Sequence, residues 1–276
     1  MKELLTRTAS GAVYVLLMIV AIYGGQWFAE ENKWVGIIIF NVIFMAIGMI
    51  GVYETIHNLQ LGGHRVNAPI AYVAGALSLL LFSTLANAWL SELQLIFAIL
   101  IPAIVMISQL WSHDESPMEM IGNTILPLVW VVLPIILLGY LHDDYPGRVM
   151  IMFILIWVND SFAYLTGRLI GRHKMWERHS PGKTWEGTIG GFVFCVAAAI
   201  FIGPYLDPWT AEGWRWAIVG ATCSITATLG DLVESMFKRS CGVKDSGNIM
   251  PGHGGVLDRF DSILMTTPFM MIVFNS

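Results

Sequence analysis

Of the chain's 276 residues, 56% are hydrophobic and 13% charged, the mean hydropathy is +0.66 and the formal net charge is −5. A soluble domain carries about 25% charged residues, so a soluble fold of this length is excluded for want of polar surface. The three cysteines, Cys195, Cys223 and Cys241, are too far apart for a CxxC site, and their odd number argues against a disulfide framework.

A bilayer core of ~30 Å asks for ~20 apolar residues in a helix. Nine stretches meet that. They run roughly over Gly11–Phe28, Trp34–Tyr53, Pro69–Trp89, Leu93–Trp111, Ile121–Leu141, Val149–Ile170, Thr188–Leu206, Trp214–Phe237 and Leu257–Phe274. The first follows Lys2 and Arg7 but lacks a small-x-small cleavage site, so it reads as a retained helix. The expected fold is all-α, a polytopic transmembrane helical bundle of about nine spans. Residues 1–145 supply transmembrane helices without a motif, and residues 146–276 form the C-terminal catalytic region.

Basic residues orient the bundle. With the N-terminus cytoplasmic, the inner side holds Lys2, Arg7, Arg65, Arg168, Arg172, Lys174, Arg178, Lys183, Lys238, Arg239, Lys244 and Arg259, and the outer side only Lys33, Arg148 and Arg215. That imbalance obeys the positive-inside rule. Trp34, Tyr53, Trp111, Tyr140 and Trp214 stand near span ends, where an interfacial aromatic belt belongs.

Two loops differ from the rest. The first continues from Gly167-Arg168 to Ser180-Pro181-Gly182-Lys183-Thr184-Trp185-Glu186-Gly187. Its Gly-Lys-Thr resembles the end of a nucleotide P-loop, but that motif needs a glycine where Glu177 stands. Lys183 remains a candidate phosphate contact as a point charge; the alternative is charge that only sets topology.

The second loop is richer. Asp231, Glu234, Ser235 and Lys238 fall at i, i+3, i+4 and i+7, so a helix puts them on one face. Asp258, Asp261 and Ser262 repeat the spacing. Between them lie Arg239, Lys244, Asp245 and the turn Pro251-Gly252-His253-Gly254-Gly255. Carboxylates on two helices beside a basic, glycine-rich turn suit Mg²⁺ and phosphate, since Mg²⁺ favours one or two carboxylates plus substrate phosphates. The alternative is a solvated loop with incidental charge pairs. Asn159-Asp160 stands in mid-span, where a carboxylate is costly; it reads as a cation or substrate contact, or as a structural pair with a neighbouring helix. His57, His64, His113 and His142 read as interfacial residues, and Asp114-Glu115 as a solvated turn.

The run Ser235, Lys238-Arg239, Lys244-Asp245, His253-Gly254-Gly255 and Asp258-Arg259-Phe260-Asp261 resembles the signature of the phosphatidate cytidylyltransferase (CDP-diacylglycerol synthase) family. Every polar position matches; Met250 stands where the family usually has Leu, Ile or Phe. Asn159-Asp160-Ser161 and the Ser180–Gly187 run are also similar to the family, so the likeness covers roughly the last 120 residues.

The resemblance implies a nucleotidyltransferase of phospholipid biosynthesis that joins CTP and phosphatidic acid into CDP-diacylglycerol and pyrophosphate. It implies Mg²⁺ on Asp231, Asp258 and Asp261, with Lys244 and His253 also catalytic. Substrate contacts would come from Lys183, Lys238, Arg239, Asp245, Gly254, Gly255, Arg259, Asn159 and Asp160. The site would lie at the cytoplasmic face of the plasma (inner) membrane. No nucleic acid is an expected partner. A homodimer, and a monovalent cation beside Mg²⁺, stay open. Two other functions compete. A CTP-dependent polyprenol-type lipid kinase shares the substrates but not the His-Gly-Gly to Asp-Arg-x-Asp run. An ion-coupled transporter usually shows repeated halves, and none are visible.

Overall fold

The computed structural model describes residues 2–28, 33–111, 116–250 and 254–276. Among the described residues the fold is helical apart from one β-hairpin, which the all-α expectation omits. The chain divides into two compact units, Met1–Asp143 with Ser240–Arg259, and Asp144–Arg239 with Phe260–Ser276.

The first unit contains α1 (Lys2–Phe28), α2 (Lys33–Leu61), α3 (Ala68–Leu81) and α4 (Thr84–Ser108). It continues with α5 (Pro117–Pro127), which passes through a π-helical turn at Leu128–Val132 into α6 (Leu133–Asp144). Pro134 has no N–H to give, and the wider turn absorbs the missing bond; the Leu133 N–H reaches back to the Leu128 carbonyl.

The apolar stretch Pro69–Trp89 is not one helix. It breaks at Phe82-Ser83, where the Ser83 hydroxyl donates to the Leu80 carbonyl at 2.9 Å and Gln94 Nε2 donates to the Leu81 carbonyl at 3.0 Å. Polar side chains that satisfy helix-end carbonyls permit a break that hydrophobicity alone does not signal. His142 is also not interfacial. It is 4% exposed, stacked 3.9 Å from Phe40, with Nε2 3.0 Å from the Ile22 carbonyl.

The second unit contains α7 (Pro146–Ile170), the antiparallel pair β1 (Lys174–Trp176) and β2 (Ser180–Thr184), α8 (Trp185–Leu206), α9 (Gly213–Ser240) and most of α10 (Leu257–Phe274). Small residues let α7 and α8 approach closely, as is usual between membrane helices. A Cβ on Gly187 would lie 2.7 Å from the Ala163 carbonyl oxygen, and one on Gly191 2.8 Å from that of Asn159. At the far end of α8, Asp207 accepts from Arg148 Nε at 3.1 Å and from the Trp209 N–H at 2.9 Å. Trp209, Trp216 and Phe274 pack edge to face beside it.

Five helical segments among the described residues are long and apolar enough to cross a membrane: Trp34–Leu61, Pro117–Asp144, Pro146–Ile170, Trp185–Leu206 and Gly213–Ser240.

Candidate active site

Within the second unit, α9 presents Asp231, Glu234 and Lys238 on one face, and α10 brings Asp261 against it. One carboxylate oxygen from each of Asp231, Glu234 and Asp261 lies within 4.8 Å of the others. Polar cross-links set the helix register: Ser262 Oγ donates to the Ala227 carbonyl at 3.2 Å, and the Thr226 hydroxyl to that of Thr266 at 3.0 Å. Gly230 allows the close approach, since a Cβ there would stand 2.7 Å from the Asp261 carbonyl oxygen.

Three carboxylates so close repel one another, and two lysines offset them. Lys238 Nζ lies 2.6 Å from Glu234 Oε2, and Lys183 pairs with Asp231. Glu234 is only 1% exposed. Three formal negative charges against two positive ones, all on hard oxygen donors, fit a divalent cation of the Mg²⁺ type. The sequence placed Glu234 on this face without assigning it to the metal; the helical spacing from Asp231 was the signal.

Beside the cluster opens a cavity of about 460 Å³, lined by Asn159, Asp160, Arg168, Ser180, Gly182, Lys183, Thr184, Thr228 and Asp231, among others. Lys183 reaches it from β2, with Nζ 3.4 Å from the Thr228 carbonyl. The rest of the Gly-Lys-Thr run builds structure: Thr184 caps α8, its hydroxyl oxygen accepting from the Gly187 N–H at 3.2 Å. Glu186 anchors the hairpin base, accepting from the N–H groups of Arg172 and His173. Asn159 is buried and accepts from Ser224 Oγ at 2.6 Å, while Asp160 is exposed to the cavity and accepts from Asn159 Nδ2 at 3.3 Å.

The remaining sequence candidates in the first unit lie on the segment following α9. Lys244, Asp245 and Arg259 are exposed. Asp258 Oδ2 accepts from the N–H groups of Ser246 at 2.8 Å and Gly255 at 2.7 Å, tying both residues to the start of α10. Gly254 has φ +83°, a conformation that suits glycine, and its Cβ would meet Asp258 Oδ2. Arg239, of the second unit, is exposed at the end of α9. His253, His113 and Asp114-Glu115 lie outside the described residues. All three cysteines are free and buried; burial pushes the Cys241 thiol up, away from nucleophilic use.

One residue escaped the sequence entirely. Glu54 of α2, 1% exposed, accepts the N–H groups of Val256 at 2.9 Å and Leu257 at 2.8 Å. Its only sequence signal is a carboxylate at the very end of the apolar stretch Trp34–Tyr53.

Residues 5–276 match the cytidylyltransferase family. A phosphatidate cytidylyltransferase of Staphylococcus haemolyticus is 34% identical over 208 residues, covering 75% of this chain and 80% of that protein. One from Haemophilus influenzae is 44% identical over 153 residues, 53% of each chain. One from Staphylococcus aureus is 33% identical over 208 residues, covering 75% of this chain and 80% of that protein. The chain therefore belongs to the cytidylyltransferase family and groups there with proteins named phosphatidate cytidylyltransferase.

Proposed function

We propose that this chain transfers the cytidylyl group of CTP to phosphatidic acid, releasing pyrophosphate and leaving CDP-diacylglycerol. A lipid phosphate oxygen attacks the α-phosphorus of CTP, and the bond from that phosphorus to the bridging oxygen of pyrophosphate breaks. The observation that carries the proposal is the cavity lined by Lys183 and Arg168 beside three carboxylates. Phosphoryl-type transfer needs alignment and charge neutralisation more than covalent help. A phosphate monoester has a second pKa of ~6, so the attacking oxygen needs no dedicated base near neutral pH.

Asp231, Glu234 and Asp261 are the residues that would hold Mg²⁺, with Asp258 as a further carboxylate on α10. When bound, Mg²⁺ supplies charge neutralisation to the triphosphate. Lys183 binds phosphate from the hairpin. Lys238, Arg239, Lys244 and Arg259 hold the remaining phosphate charge, and His253 donates to a phosphate oxygen. Asn159 and Asp160 orient the nucleotide, Asp245 is a further substrate contact, and Gly254 and Gly255 let the backbone approach a phosphate.

The lipid enters sideways from the inner leaflet of the plasma membrane. The bundle crosses about nine times with its N-terminus and active site on the cytoplasmic side, supported by the placement of basic residues.

The test is turnover by purified protein with phosphatidic acid, Mg²⁺ and CTP labelled at either the α- or the γ-phosphate. The expected result is α-label in the lipid and γ-label in pyrophosphate. γ-Label in the lipid would make it a kinase, and no turnover would refute the proposal.

A further inference from the structure

We propose that Glu54, in the half of the chain that carries no motif, is the positioning residue for Ser246-Gly247, Gly255-Val256 and the start of α10. The functional purpose of this latch rests on the cytidylyl-transfer proposal; its geometry does not.

The Val256 and Leu257 N–H groups bound by Glu54 are among those that open α10. The first amides of a helix have no intrahelical partner, and a carboxylate there is favoured by the helix dipole. Glu54 thus caps α10 from a different helix, one oxygen per amide. An ionised carboxylate satisfies both donors. A glutamine does not, because its NH₂ would face one of the N–H groups.

Gly247 and Gly255 close tightly on this carboxylate. A Cβ on Gly247 would lie 2.5 Å from Glu54 Oε1, and one on Gly255 2.6 Å. One turn along α2, the buried Asn58 donates through Nδ2 to the Ser246 carbonyl at 3.0 Å. A turn further, Gly62 backs onto Cys241, whose Cα would lie 2.8 Å from an added Cβ. Positions 54 and 58 lie one turn apart on α2, and Gly62, just past its end, donates its N–H back to the Asn58 carbonyl, so the three line one stripe; that stripe receives Cys241, Ser246, Val256 and Leu257 of the segment that follows α9. The same segment is tied to Asp258 through Ser246 and Gly255. Lys244, Asp245 and Gly254 ride on it. Glu54 acts through this braced turn and need not touch substrate.

The test uses the full-length protein in detergent and compares wild type with Glu54→Gln, which is isosteric. Two rates are measured: CTP turnover with phosphatidic acid and Mg²⁺, and tryptic cleavage after Lys244. Glu54→Gln is expected to lower kcat/KM at least ~10-fold and to speed cleavage after Lys244 by a similar factor, two weakened charge-assisted bonds being ample for one decade each. Glu54→Asp, which keeps the charge on a shorter arm, should recover part of both.

Wild-type turnover and cleavage in Glu54→Gln overturn the proposal. So does lost turnover with an unchanged cleavage rate, because the turn would then be held without Glu54. If Glu54→Gln does not yield monodisperse protein, Asn58→Ala, which removes one bond of the same stripe, should show faster cleavage and reduced turnover; wild-type behaviour there overturns the latch. If wild type itself turns over no CTP, the functional proposal fails while the cleavage comparison still decides the latch.

Discussion

Gly230→Ala adds one methyl group where α9 meets α10, and its effect can be worked from the packing. The new Cβ would lie 2.7 Å from the Asp261 carbonyl oxygen, 2.9 Å from Met265 Cβ and 3.1 Å from Ser262 Cα. Two of these three neighbours are backbone atoms, so no side-chain rotation relieves the clash. Ordinary contact needs ~3.5 Å, so the helices must part by roughly 0.8 Å. Overpacking of this kind costs ~1–3 kcal/mol in stability, which a folded bundle can absorb. The catalytic cost is larger in proportion, because the displaced elements carry Asp231 and Glu234 on one side and Asp261 on the other. A misplacement of ~1 Å can cost ~100-fold, so kcat should fall by ~10- to 100-fold. The Mg²⁺ concentration for half-maximal rate should rise as well. The assay is steady-state CTP turnover with phosphatidic acid across a Mg²⁺ titration. Gly122→Ala serves as the control, because a Cβ there meets nothing within 4 Å. A Gly230→Ala protein with wild-type kcat and Mg²⁺ dependence would refute the link between helix spacing and the carboxylate cluster.

Other substitutions probe separate parts of the site. Lys183→Ala removes the partner of Asp231 and a positive charge from the cavity; the KM for CTP or lipid should rise about tenfold, worth ~1.4 kcal/mol, and unchanged kinetics would reduce this loop to a topology signal. Asp258→Asn puts an amide where an oxygen accepts two N–H groups; it should abolish Mg²⁺-dependent turnover while the protein still inserts, and normal turnover would remove Asp258 from the mechanism. Asp207→Asn breaks a pair whose side chains are 15% and 3% exposed. Arg148 keeps its second partner Asp144 at 2.9 Å, so the cost falls below the ~3–5 kcal/mol of orphaning a buried charge, and the melting temperature in detergent should drop by a few degrees. KM should hold, because Asp207 caps the end of α8 away from Thr184; a changed KM with an unchanged melting temperature would contradict this.

Local regularities made much of this legible beforehand. Apolar runs of bilayer length marked the helices, because a chain this poor in charge must bury itself in lipid or in its own packing. The i, i+3, i+7 spacing placed Asp231, Glu234 and Lys238 on one face without any knowledge of their neighbours. The signature run from Ser235 to Asp261 carried the family. The same patterns misjudged the chain where polar groups serve backbone needs. Ser83 and Gln94 end a helix inside an apolar stretch.

By itself, then, the sequence determined the membrane character, the helical class, the face of α9 that bears charge and the chemistry that face suits. Each of these depends on periodicity or composition within about twenty residues. Only the tertiary structure decided that Asp261 stands against Asp231 and Glu234, that Lys183 reaches Asp231 from a hairpin, and that Glu54 holds a turn some 200 residues away. Those pairings are fixed by which side chains are small enough to let two helices meet and which buried amides lack a partner, and no local pattern records either.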